Sequence, residues 1–173
     1  MTESRSAFET SLDELSVTVT RTEESTIAAA LTEAVVDPAV GVSLGDAFGS
    51  DGFTLADAGV SVDPTPVELR EATTGVTAAD LAVSDYGSLV LTLDDRASEL
   101  VSLFVERHVA LVRASDVVDD MDTAIETLDA TFNRTGGSAV LATGPSATAD
   151  MGALVQGAHG PETVHVVIIE EGA

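Results

Sequence analysis

The chain has 173 residues, a usual size for one domain, and 45% of them are hydrophobic but only 3% aromatic, so its core must be assembled from many small contributions of Ala, Val and Leu. Acidic residues number 30 against 7 basic ones, for a net charge of −23, and with no Cys the chain offers no disulfide, no thiolate nucleophile and no thiolate-held zinc or iron–sulfur cluster. Every basic residue is Arg and the acids are spread along the whole length, which leaves no basic patch for nucleic acid or an anionic membrane.

The first fifteen residues are polar and acidic rather than a signal segment, and no stretch of about 18 apolar residues predicts a membrane span. Ala7, Phe8, Leu12 and Leu15 stand at near-helical spacing and predict a helix over 3–15, followed by a short strand at Val17 and Val19. A second helix is expected over 25–36, with Ile27, Ala30, Leu31, Ala34 and Val35 on one face and Pro38 just beyond its end. Residues 39–44 read as a buried strand. Gly45, Gly49, Gly52 and Gly59 predict turns, with a helical turn over 54–58 and a short strand at Val60 and Val62.

The second half has clearer punctuation. Residues 80–84 and 88–93 read as two strands paired around Asp85-Tyr86-Gly87, which predicts a mixed rather than purely parallel sheet. A short helix over 99–105 and a strand over 108–112 follow. Met121, Ile125, Leu128 and Phe132 are in phase for a helix over 119–132 that Gly136-Gly137 terminates. Strands are expected at 138–142 and 163–169, with a helix over 148–156 between them. Strands alternating with helices imply an α/β fold: a mixed sheet flanked by helices in three layers.

The stretch Gly144 to Pro161 holds the residues most suggestive of a site. Pro145 suits the start of a helical turn, Ser146 and Thr148 suit N-caps, and Asp150 would fall in the first turn. Helix N–H groups after a strand make a site for a small anion, although the same residue types cap helices with no ligand at all. His159 and Gly160 lie in the loop before the last strand, and His159 is either a proton-handling group or a cation at a helix end. A helix over 148–156, about 14 Å long, would hold Asp150 and His159 apart. His165 falls within a strand and reads as structural, and no histidine or carboxylate spacing supports a metal site.

The segment GPSATADMGALVQGAHGP closely resembles the closing motif of the LUD domain, the lactate-utilisation C-type (LutC-like) proteins, which reads GPS-x-TADIE…GVHGP before a last apolar strand. GVTAADLAVSDYGSLVL, residues 75–91, resembles that family's GVTGADFAIAETGTVVL segment, and Arg96, Ser102-Leu103 and His108-Val109 resemble its R…SLLPPxHI stretch. The resemblance is strongest over 75–170, within a chain expected to be one LUD-type domain over 1–173. Two departures stand out: Asp85-Tyr86 replaces the usual acid–Thr pair, and Glu106-Arg107 replaces the Pro pair.

The resemblance implies the fold group of glucosamine-phosphate isomerase, ribose-phosphate isomerase and CoA-transferase. It also implies a subunit or accessory protein of an iron–sulfur-dependent system that oxidises L-lactate to pyruvate. No cofactor is then expected in this chain, the clusters being held by Cys-rich partner subunits. A small carboxylate or other anion is expected at the Gly144–Asp150 loop. The implied ligand-binding residues are Gly144, Ser146, Thr148, Asp150, His159, Gly160, Thr77, Asp80, Asp85 and Arg96, with Asp150, His159 and His108 as candidate catalytic groups. Two other readings stay open: a free-standing enzyme of the phosphosugar-isomerase or CoA-transferase type, and a non-catalytic ligand-binding module.

The charge, the absence of Lys and the abundance of Thr and small apolar residues lead to the expectation of a soluble protein of a high-salt cytoplasm. Self-repulsion at −23 opposes a compact state in dilute buffer, whereas at molar salt the Debye length is about 3 Å and the repulsion is screened. The thermal midpoint is therefore expected to rise steadily from 0.1 M to about 2 M KCl. A midpoint that is flat or falls across a calorimetric salt series would contradict the high-salt reading.

Overall fold

A computed structural model of the chain describes residues 2–44, 53–93, 98–150 and 153–171. In chain order the elements are α1 (Thr2–Glu14), β1 (Thr18–Glu23), α2 (Ile27–Ala34), β2 (Ala39–Gly41), β3 (Ser61–Val62), α3 (Pro66–Glu71), β4 (Thr74–Ala78), β5 (Leu81–Val83) and β6 (Ser88–Thr92). There follow α4 (Ser98–Leu103), β7 (Arg107–Arg113), β8 (Val117–Val118), α5 (Met121–Thr135), β9 (Ala139–Thr143), β10 (Ala147–Asp150), β11 (Ala153–Gln156) and β12 (Thr163–Glu170). No helix among the described residues is long and apolar enough to cross a membrane.

The central sheet has the order β1-β12-β7-β4-β2-β3, and all its described pairings are parallel. A parallel sheet must be covered on both faces, and the near-continuous apolar runs of β7 and β12 are what such burial requires. Alternation then sends successive residues into two cores. Val109, Leu111, Val167 and Ile169 pack with Ile27, Ala30 and Leu31 of α2 on one face. Ala110, Val112, Val164, Val166 and Ile168 pack with Phe8 and Leu12 of α1 on the other, together with Leu89 and Leu91 of β6.

Those two β6 residues belong to a second sheet, ordered β8-β5-β6-β9, and here the expected mixed pairing is found. β6 runs antiparallel to both β5 and β9, while β5 runs parallel to β8. Ala124 and Leu128 of α5 cover the outer side of this sheet against Val83 and Val90. Asp120 caps α5 by accepting a 2.8 Å hydrogen bond from the Thr123 N–H.

Most predicted elements are present with shifted ends. α2 is shorter than expected, and α3, β4 and β8 were not anticipated. One expectation is overturned: in place of a helix over 148–156, Ala147–Asp150 and Ala153–Gln156 are the antiparallel strands β10 and β11, in the register Ala147↔Gln156, Thr148↔Val155, Ala149↔Leu154 and Asp150↔Ala153. The β-branched Thr148 and Val155 favour extended chain, and a glycine at 152 would cost a helix interior about 1 kcal/mol. The turns expected at Gly45, Gly49 and Gly52 lie outside the described residues.

α4 presses directly on β4. A Cβ built on Gly75 would fall on the Val101 carbonyl oxygen of α4, a backbone atom that cannot swing aside. Gly75→Ala is thus expected to destabilise the fold by about 2 kcal/mol or more, read as a lower denaturant midpoint at unchanged slope. A variant as stable as the parent would show that α4 can retreat.

Two histidines are buried inside the central sheet. On the α2 face, Arg107 donates from Nε to the Ala34 carbonyl at 2.7 Å and from its terminal nitrogen to His165 Nδ1 at 2.9 Å. Arginine cannot accept, so His165 must carry its hydrogen on Nε2, which donates to Thr20 Oγ1 at 2.9 Å. On the opposite face, His108 Nε2 lies 2.8 Å from Thr77 Oγ1. Burial lowers the His108 pKa to about 4. Burial, and then the nearby Arg107 charge, lower that of His165 to about 4.

Both imidazoles stay neutral in the folded chain while the unfolded chain titrates near 6.5. Between those values the unfolded state binds more protons, so this stability is complete above pH 6.5 and drains away as pH falls toward 4. His108→Gln removes one titration while keeping a hydrogen-bonding side chain beside Thr77. The difference in unfolding free energy between parent and variant is expected to shrink by up to about 3 kcal/mol from pH 7 to pH 4. A pH-independent difference in denaturant titrations at fixed salt would refute the buried neutral imidazole.

Candidate functional site

The two Gly–Pro loops that flank the β10–β11 hairpin are tied to each other. The Ser146 N–H donates to the Pro161 carbonyl at 2.8 Å, and the Gly157 N–H donates to the Ser146 carbonyl at 3.0 Å. The His159 N–H also donates to Ser146 Oγ, at 3.3 Å. Gly144 holds φ +66 with Leu15, just past the end of α1, only 3.2 Å from where its Cβ would be, a conformation and a clearance that suit glycine. Ser146 is therefore a clip between the loops rather than a helix cap.

Beneath the clip lies a cavity of about 270 Å³. One wall is β9 from Val140 to Thr143, continuing through Gly144, Pro145, Ser146 and Ala147, and the opposite rim is His159, Gly160 and Pro161. Ser102 and Leu103 come from the end of α4, and Leu89, His108 and Val164 form the floor where the two sheets meet. A second, wider groove of about 500 Å³ shares Leu103, His159 and Gly160 with this cavity and carries Phe104, Glu106 and Glu162.

Most of the cavity wall is apolar, and no Arg, Asp or Glu is among its described lining residues. The polar groups are few. Ser102 Oγ donates to the Glu99 carbonyl at 3.0 Å, and Thr143 Oγ1 is paired with Ser88 Oγ at 2.7 Å. Ser146 Oγ accepts from His159, which leaves its own hydrogen free of any described protein acceptor. His108, only 1% exposed, spends Nε2 on Thr77, and no described protein group meets its Nδ1. Its depressed pKa keeps it neutral at ordinary pH, so it can offer either a hydrogen or a lone pair, the choice depending on which way the Thr77 hydroxyl points.

Of the site residues expected from sequence, Gly144, Ser146, His159, Gly160 and His108 come together around this cavity, with Thr77 one hydrogen bond behind. Thr148 and Asp150 lie on β10, out along the hairpin, so no helix dipole acts on either. Asp80 is committed to the sheet: its carboxylate accepts from the Thr92 N–H at 2.9 Å, and its own N–H donates to the Val90 carbonyl. Asp85 lies exposed on the turn between β5 and β6 and does not line the cavity. Arg96 lies outside the described residues.

Ser102, Thr143 and the apolar wall were not anticipated as site groups. The signal for Ser102 was its place in the stretch that resembles the family's R…SLLPPxHI, although no ligand role was expected of it. No group of three or more His, Asp or Glu side chains among the described residues could hold a metal ion.

Apart from Leu89, which lines the cavity floor, the 75–91 segment builds the frame of this site. Gly75 admits α4, and Ser84 holds α1 by donating to the Ser4 carbonyl at 2.8 Å and accepting at its own carbonyl from Ser11 Oγ at 2.7 Å.

The chain is similar to lactate utilization protein C of Deinococcus radiodurans, with 30% identity over 106 residues. That alignment takes in 59% of this chain and 49% of the relative, so the chain spans about half the length of the curated protein it matches. Its fold matches the crystal structure of a DUF162 family protein from Deinococcus radiodurans with a TM-score of 0.71 at 20% identity, covering 97% of each chain. The LUD domain family model matches residues 7–169, almost the whole described chain, and the chain belongs to that family.

Proposed function

We propose that this chain serves lactate utilisation as a ligand-binding component that holds a small anionic ligand in the cavity under the Ser146 clip. The observation that carries this reading is the convergence of the two glycine–proline loops, both parts of the family motif, on an apolar cavity with two unspent polar groups, Ser146 Oγ and His108 Nδ1. Few polar groups placed in a mostly apolar pocket is the usual composition of a small-molecule site. The name of the Deinococcus relative supports lactate as the metabolic context.

Oxidation of lactate to pyruvate releases two electrons and two protons. With no Cys in its sequence this chain cannot ligate an iron–sulfur cluster through thiolates, and the electrons are assigned to clusters held by Cys-rich partner subunits. The chain's own part is then to bind and orient. Ser146 donates to a carboxylate oxygen, and neutral His108 bonds the ligand's hydroxyl or carboxylate without a charge of its own. The phosphosugar and CoA readings lose ground here, because phosphate recognition normally recruits Arg or Lys. No Arg is among the described lining residues, and Arg107, next to the floor residue His108, is spent on Ala34 and His165.

The tagged protein, purified in molar KCl, is expected to bring down a Cys-rich subunit and to support lactate-dependent dye reduction only with it. Ser146→Ala, which leaves both backbone bonds of the clip in place, is expected to lower that rate about tenfold at subsaturating lactate. Full activity from this chain alone, or an unchanged rate in the variant, would refute the assignment.

A further inference from the structure

The cavity has more apolar room than lactate can use. A water's share of liquid volume is about 30 Å³, so a space of about 270 Å³ corresponds to about nine waters, whereas lactate has about six non-hydrogen atoms, of which the apolar part is one methyl group. The polar groups cluster at one end, where Ser146 and His159 meet at the clip. Away from it the walls are Leu89, Val140 and Ala142 of the second sheet, which offer a ligand apolar contact, while Val164 stands beside His108 on the floor.

The charge environment narrows the ligand further. No described lining residue carries a fixed positive charge, and Glu106 and Glu162 stand on the adjoining groove. Among the described lining residues a phosphate dianion would find no cation to replace the hydration it surrenders. A single carboxylate can be held by hydroxyl and imidazole donors alone.

Resting on the proposed site, we infer that the cavity selects monoanionic hydroxy or oxo acids with a branched or aromatic apolar tail in preference to lactate itself. The carboxylate and its neighbouring oxygen take the Ser146–His108 end. The tail extends past Ala142 toward Leu89 and Val140, displacing water that gains little from apolar walls.

Calorimetric titration of the full chain in molar KCl tests this with L-lactate, hydroxyisocaproate, phenyllactate and phosphoglycerate. Hydroxyisocaproate or phenyllactate is expected to bind at least tenfold tighter than lactate, in line with the gain for each buried methylene, and phosphoglycerate is expected not to bind. Ala142→Leu, which fills the apolar end, is expected to remove most of that tenfold advantage. Lactate binding as tightly as the longer acids, preferential binding of phosphoglycerate, or a long-acid advantage unaltered in Ala142→Leu would each overturn the inference. The first of these would leave the lactate site itself standing, whereas heat from none of the four acids would overturn both readings.

Discussion

Strand β7 belongs to two cores at once, and that double burial organises the molecule. Paired in parallel with β12 on one side and β4 on the other, it sends Val109 and Leu111 toward α2 and Ala110 and Val112 toward α1 and the second sheet. A polar side chain in the buried stretch of such a strand, 108–112, must find its partners within the protein. His108, and Arg107 at its edge, obey the constraint in different ways: Arg107 reaches the carbonyl end of α2 and the His165 ring, while His108 has Thr77 on one nitrogen and the cavity before the other. The same strand that holds the halves together therefore delivers a neutral imidazole to the place where the two sheets separate.

The acidic surface and the cavity form a second pair of linked features. The strongly negative chain must keep its charges solvated or paired, and Arg21 with Glu9 and Arg5 with Glu170 show the pairing where α1 crosses the edge strand β1. These pairs are partly exposed, so each contributes little, on the order of 0–1 kcal/mol, but they give the sheet edge a charged rim that discourages further strand addition. Inside, the opposite rule applies. The described lining of the cavity is mostly apolar with no fixed charge, so the affinity of the proposed ligand depends on fit and hydrogen bonding more than on Coulomb attraction, and added salt costs it little.

Periodicity carried the fold well where one face of an element is buried. Phe8 and Leu12 of α1, Leu31 of α2 and Leu128 of α5 all point into the cores that their spacing implies, and the apolar runs of β7 and β12 lie where a doubly covered sheet needs them. β4 was missed because Thr74, Gly75 and Thr77 do not look apolar; each is buried for a specific reason, a hydrogen bond to Val36, the approach of α4 and the contact with His108. The β10–β11 hairpin was misread because Ala, Thr, Asp and Leu suit a helix nearly as well as a strand, and only cross-strand pairing decides between them.

That misreading changes the chemistry of the site as well as its outline. A helix starting near Ser146 would have offered anion recognition by backbone N–H groups and a dipole, a device that accepts phosphate as readily as carboxylate. The hairpin withdraws that device. Its first strand leads Thr148 and Asp150 away from the cavity, and the backbone N–H groups of Ser146, Gly157 and His159 are spent on closing the clip. What remains for a ligand is one hydroxyl and one or two imidazoles against an apolar wall. Donors of that kind discriminate by position and by the shape of the ligand's apolar body. In the proposed site, selectivity therefore rests on side chains from two sheets and two loops, because the backbone around them is already satisfied.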